Sequence, residues 1–132
     1  MIDFEDATPI ATPALYRAAL LALRDSEMGI STQELEMLTA HWNSPEHTIT
    51  TSQMAEKMGF KNYSVANLQY GRLAHRIADE LHYWPGSEDE NAPHWWRTIA
   101  YGKEASPEEE IQHYQWVMRP ELVSILRQMR WV

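Results

Sequence analysis

Between Thr48 and Asp79 the chain reads Thr-Ile-Thr-Thr-Ser-Gln-Met-Ala-Glu-Lys-Met-Gly-Phe-Lys-Asn-Tyr-Ser-Val-Ala-Asn-Leu-Gln-Tyr-Gly-Arg-Leu-Ala-His-Arg-Ile-Ala-Asp. Thr50 and Thr51 are both suited to cap a helix. Met54, Ala55 and Met58 follow at helical spacing as its core positions. Gly59 ends it, because glycine accepts the left-handed conformation that closes a helix. After Phe60-Lys61-Asn62 the periodicity predicts a longer helix to about His82, with Ala66, Tyr70, Leu73, Ile77 and Leu81 as its inward stripe. Two helices joined by so tight a turn read as a helix-turn-helix, in which the second helix carries polar residues at its start and arginines further along. Gly71 inside that helix costs about 1 kcal/mol relative to alanine, and close approach of another backbone would offset the cost.

The flanking sequence extends this unit on both sides. Residues 1–11 read as a loose leader. Thr12-Pro13 opens a helix, a threonine cap with proline in the first helical position. Leu15, Ala19, Ala22 and Leu23 form its expected apolar stripe, and Gly29 marks the break after it. Ser31-Thr32-Gln33-Glu34 is a capping box for a second helix, with Leu35, Leu38 and Trp42 as its inward line and Asn43-Ser44-Pro45 as its stop. C-terminal to the long helix lies an acidic loop, Pro85 to Pro93. Trp95 to Tyr101 is aromatic and β-branched and predicts a strand, and His113 to Met118 alternates with Tyr114, Trp116 and Met118 on one face. Together they predict a hairpin. Arg119-Pro120-Glu121 opens a last helix with Leu122, Ile125, Leu126 and Met129 inward. The fold expected is mainly α with a small β-hairpin: a single winged helix-turn-helix domain over residues 1–132 with extra N- and C-terminal helices. Its helix-turn-helix core spans 31–82, the wing hairpin 94–118 and the terminal helix 119–132.

Charge bears on the partner. The formal net charge is −8, which opposes general affinity for nucleic acid. It is unevenly spread. Thr48 to Asp79 holds Lys57, Lys61, Arg72 and Arg76 against Glu56 and Asp79, so this stretch is +2 and the remainder −10. In a helix-turn-helix the start of the second helix meets base edges, and basic groups nearby meet phosphates. The candidate nucleic-acid-binding residues are therefore Lys61, Asn62, Tyr63, Ser64, Asn67, Arg72 and Arg76. Asn67 is suited to bidentate pairing with adenine, and Tyr63 to stacking on a base or packing against a thymine methyl. The structural alternative is that Asn62 or Ser64 only caps the helix. The wing offers Lys103 but also Glu104, Glu108, Glu109 and Glu110, which phosphate would repel. Arg97 is the other candidate contact in this half.

Other chemistry finds little support. None of the six histidines forms a helical zinc pair; His82, His94 and His113 lie near acidic segments without ligand spacing, so no metal or cofactor is expected. Ser64 and Ser124 have no nucleophile setting, and no glycine-rich phosphate loop exists, so no enzyme is expected. No run of about 18 apolar residues predicts a membrane span, and Met1 to Asp6 lacks a basic signal-peptide start. Zero cysteines exclude disulfides. A cytoplasmic protein fits these features. Of the tryptophans, Trp42 reads as core, while Trp84, Trp95, Trp96, Trp116 and Trp131 gather in the C-terminal half. They suit either a core between hairpin and terminal helix or a pocket for a flipped base. Trp95 and Trp96 would point to opposite faces of a strand.

Thr51 to Tyr63 together with Ala66 to Ala74 resembles a small bacterial winged-helix-like module found in uncharacterised proteins and alongside HNH-type restriction endonucleases. Trp116-Val117-Met118-Arg119-Pro120-Glu121-Leu122 with Trp131-Val132 resembles its closing segment, and the two cover roughly two thirds of the chain. The resemblance implies DNA recognition near bacterial or phage defence or mobile-element systems, with Asn62 to Arg72 as the distinctive surface. No paired histidines flank an asparagine here, so the HNH nuclease itself is not expected. The leading expectation is a non-catalytic protein that binds or senses double-stranded DNA. The alternative is an acidic inhibitor of a basic nucleic-acid-processing protein, of anti-restriction or anti-CRISPR type, whose carboxylates imitate phosphates. A homodimer through terminal helices fits either.

Overall fold

A computed structural model describes residues 8–85, 94–103 and 115–132. The helices begin where the caps require. In α1 (Pro13–Arg24) the Thr12 hydroxyl accepts from the Leu15 N–H. In α2 (Thr32–Asn43) Ser31 and Glu34 complete a reciprocal capping box. Strand β1 (Thr48–Thr50) leads directly into α3 (Thr51–Met58), with Thr50 and Gln53 forming a second capping box. After α4 (Tyr63–Leu81) come β2 (Ala100–Lys103), β3 (Gln115–Met118) and α5 (Pro120–Gln128).

The three strands form an antiparallel sheet in the order β1-β3-β2, with Ile49 opposite Trp116 and Gly102 opposite Trp116 from the other side. Helix, strand, helix-turn-helix and then hairpin, with the first strand added to the hairpin, is the winged helix-turn-helix arrangement. Helices α1 and α5 are the additions, and they pack against each other. One core cluster runs through Tyr16, Leu20, Met37, Met54, Tyr70, Ile77, Trp116 and Leu126. The buried polar groups tie its elements together. The Tyr16 hydroxyl donates to the Thr98 carbonyl at 2.7 Å. The buried Arg119 donates from Nε to the Arg97 carbonyl at 2.8 Å and from Nη1 to the Thr8 carbonyl at 3.0 Å.

Four local expectations are corrected. Trp95–Thr98 is a 3₁₀ turn, and the strand starts only at Ala100. A strand would point adjacent tryptophans to opposite faces, whereas the turn lays Trp95 against α4 and buries Trp96 near Trp116, 6.3 Å between ring centres. Strand β1 is an unforeseen element; its Thr-Ile-Thr alternation is three residues long and buries only Ile49. In α1 the inward face is Tyr16, Ala19, Leu20 and Leu23, while Leu15 is 54% exposed, because the aromatic ring of Tyr16 wins the inward position. Finally, no backbone approaches Gly71: a Cβ built there meets nothing within 4 Å. Most of the leader, the acidic loop over 86–93 and the wing tip over 104–114, with Glu104, Glu108, Glu109, Glu110, His113 and Tyr114, lie outside the described residues.

Candidate nucleic-acid interface

The turn between α3 and α4 is built by two residues. Gly59 closes α3 with φ 71° and ψ 25°, the left-handed region that disfavours any Cβ, and the Phe60 N–H returns to the Ala55 carbonyl at 2.8 Å. Asn62 opens α4: its Oδ1 accepts from the N–H groups of Ser64 at 3.0 Å and Val65 at 3.3 Å. The cap stabilises the helix start by about 1 kcal/mol. Asn62 is thus first a helix cap, as the structural alternative held. Lys61, Tyr63, Ser64, Asn67 and Arg72 are exposed along the first turns of α4.

Arg76 is corrected. Its Nη1 sits 3.1 Å from both carboxylate oxygens of Glu34, and its Nη2 donates to the Gly29 carbonyl at 2.6 Å. At about 100° per residue it lies on the side of α4 opposite Asn67. There it clamps α4 to the start of α2 and to the preceding turn, one turn along from Arg72 and far around the helix from Asn67.

The far end of the outward face of α4 carries an aromatic contact yet stays exposed, His75 at 47% and Asp79 at 69%. The Trp95 ring stacks on His75 with centres 3.7 Å apart and planes 6° apart. Trp84 meets Trp95 edge-on at 5.2 Å, and His75 Nε2 lies 3.5 Å from Asp79. Arg97, foreseen on a strand, instead lies in the 3₁₀ turn with its guanidinium 5.6 Å from the Trp96 ring centre. The stretch of α4 ahead of that stack runs from Tyr63 to about Ala74. Its centre includes Leu68, 52% exposed, which reading the inward stripe alone passed over. The residues opposite that stripe would have revealed it.

A buried polar joint sets the angle of α4. His41 of α2 is fully buried, and its Nε2 contacts the Trp116 carbonyl of β3 at 2.9 Å. A carbonyl only accepts, so Nε2 carries the proton. Nδ1 then accepts from the Tyr70 hydroxyl of α4 at 2.7 Å. Burial holds His41 down at about pKa 4, against an ordinary 6.5, and burial holds the Tyr70 hydroxyl well above its usual range. The neutral imidazole thus connects α2, α4 and β3.

The charge pattern is sharper than the sequence totals suggested. All eleven Lys and Arg lie within the described residues, together with nine of the nineteen Asp and Glu. The other ten acidic residues fall in 1–7, 86–93 and 104–114, which contain no Lys or Arg. The described part of the protein is therefore +2, and the acidity belongs to three short segments. Among the described residues no group of three or more His, Cys, Asp or Glu is placed to hold a metal ion. No helix among them is long and apolar enough to cross a membrane.

Compared with protein-family models, curated proteins and solved structures, the chain matches none.

Proposed function

We propose that this chain is a non-catalytic winged-helix protein that binds or senses double-stranded DNA through the N-terminal half of α4. The observation that carries the reading is the exposed run of Lys61, Tyr63, Ser64, Asn67 and Arg72 on the second helix of a helix-turn-helix whose opposite face is fully packed. Lys61 and Arg72 supply phosphate contacts, and Ser64 and Asn67 supply groups for base edges. A link to bacterial or phage defence or regulation rests on the resemblance of Thr51–Ala74 alone.

Duplex binding measured by fluorescence anisotropy tests this. Two phosphate contacts imply roughly a tenfold loss of affinity for a fourfold rise in salt. Lys61→Glu with Arg72→Glu is expected to abolish binding while leaving the circular dichroism spectrum unchanged, since both side chains are exposed. Binding that ignores both salt and this double reversal refutes the assignment.

A second reading has its own support. Ten carboxylates in three short segments free of Lys and Arg form the pattern of an acidic inhibitor of a basic nucleic-acid enzyme. It expects no duplex binding, and salt-sensitive association with a basic protein that survives Lys61→Glu.

A further inference from the structure

The outward midline of α4 is apolar, between polar flanks. At about 100° per residue, Ser64, Leu68, Gly71 and His75 fall within about 60° of one another. The Trp95 ring stacks on one face of His75 at 3.7 Å, with His75 still 47% exposed; ahead of that stack lie Leu68 and Gly71, with Asn67 and Arg72 to either side. Leu68 is 52% exposed and belongs to neither the core cluster nor the residues packed against it.

Gly71 is helical, and a Cβ there would meet nothing within 4 Å. No neighbour in the chain requires the missing side chain, although glycine weakens a helix interior relative to alanine. Next to Leu68 the bare backbone faces open space, so a methyl group can approach the helix closely there. On the base edges of the major groove the thymine C5-methyl is the one alkyl group offered, and it belongs to the A·T pair whose adenine an asparagine reads bidentately. Asn67 lies one helical turn before Gly71.

Resting on the assignment of α4 as the DNA-reading helix, we propose that Leu68 and Gly71 read a thymine methyl. This makes A·T-containing duplex DNA the substrate class. Asn67 takes the adenine, and Arg72 and Lys61 take the phosphates.

The test compares three short labelled duplexes by anisotropy: alternating adenine and thymine, the same duplex with deoxyuridine for thymine, and a G·C duplex. The wild type is expected to bind the thymine duplex most tightly and to lose about fourfold in affinity for each contacted methyl removed. Leu68→Ala is expected to bind the thymine and uracil duplexes alike. Gly71→Ala is expected to melt at a higher temperature yet bind the thymine duplex more weakly, because its new methyl takes up the space in front of the bare backbone. Several results overturn the proposal while leaving DNA binding standing. One is equal wild-type affinity for thymine and uracil duplexes with dependence on Arg72 intact; another is thymine preference that survives Leu68→Ala. A Gly71→Ala variant that melts lower also overturns it, by giving the glycine a structural role. Loss of a dimer on Leu68→Ala in sedimentation, with duplex affinity unmoved, would reassign the face to self-association. Absence of binding to all three duplexes overturns the DNA assignment and the methyl reading together.

Discussion

Mild acid is expected to weaken this fold through one side chain. In the unfolded chain His41 titrates near 6.5, and in the folded protein burial holds it near 4. Above pH 6.5 neither state binds the proton, so the site adds no pH dependence. Below 6.5 the unfolded state takes up a proton that the folded state refuses. Stability then falls by up to about 1.4 kcal/mol per pH unit until the folded group itself titrates near pH 4. The full span is worth about 3 kcal/mol, and the part between pH 6.5 and 5 about 2 kcal/mol, a large share of a typical 5–15 kcal/mol total. The assay is urea denaturation followed by far-UV circular dichroism at several pH values from 7.5 to 5, on the wild type and on His41→Gln. The variant leaves the Tyr70 hydroxyl and the Trp116 carbonyl poorly matched and is expected to lose roughly 1–3 kcal/mol at neutral pH. It also removes the titrating group, so the two stability curves should converge as pH falls. Parallel curves would refute the argument, as would an imidazole ¹³C signal of His41 that moves near pH 6.5 in the folded protein.

Further expectations separate architecture from recognition. Arg76→Ala removes the guanidinium from the Glu34 carboxylate, which keeps the Ser31 N–H, and from the Gly29 carbonyl, so it should cost on the order of 1–3 kcal/mol in chemical denaturation yet leave duplex affinity unchanged. Gly59→Ala places a Cβ at φ 71° and should lower the melting temperature by roughly 4 °C, the shift of about 1 kcal/mol in a chain of this size. Asn62→Asp keeps an oxygen to accept from Ser64 and Val65, so its melting temperature should hold, while the added negative charge should weaken duplex binding.

The helices were legible because their ends are written locally. Thr12-Pro13, the Ser31–Glu34 box and Gly59 each fix a boundary within four residues, where no distant contact is needed to decide the backbone. What escaped depends on partners far along the chain. Strand β1 exists because Ile49 finds Trp116, and Trp95–Thr98 turns because Trp95 finds His75 on α4. Arg76 looked like a phosphate contact because its partner Glu34 lies 42 residues earlier. The proposed surface was legible in its residue types, Lys61 through Arg72. Its orientation was not, since the midline of Leu68 and Gly71 emerges only once the buried face of α4 is fixed.

The Trp95–His75 stack also marks a position along α4. Helix α4 has 19 residues, about 28 Å at 1.5 Å per residue. The stretch ahead of the stack, Tyr63 to Ala74, is about 18 Å long. On the proposed reading, that stretch would lie along about five base steps at 3.4 Å each, half a turn of the double helix, so the proposed contact of one copy would be short along the groove.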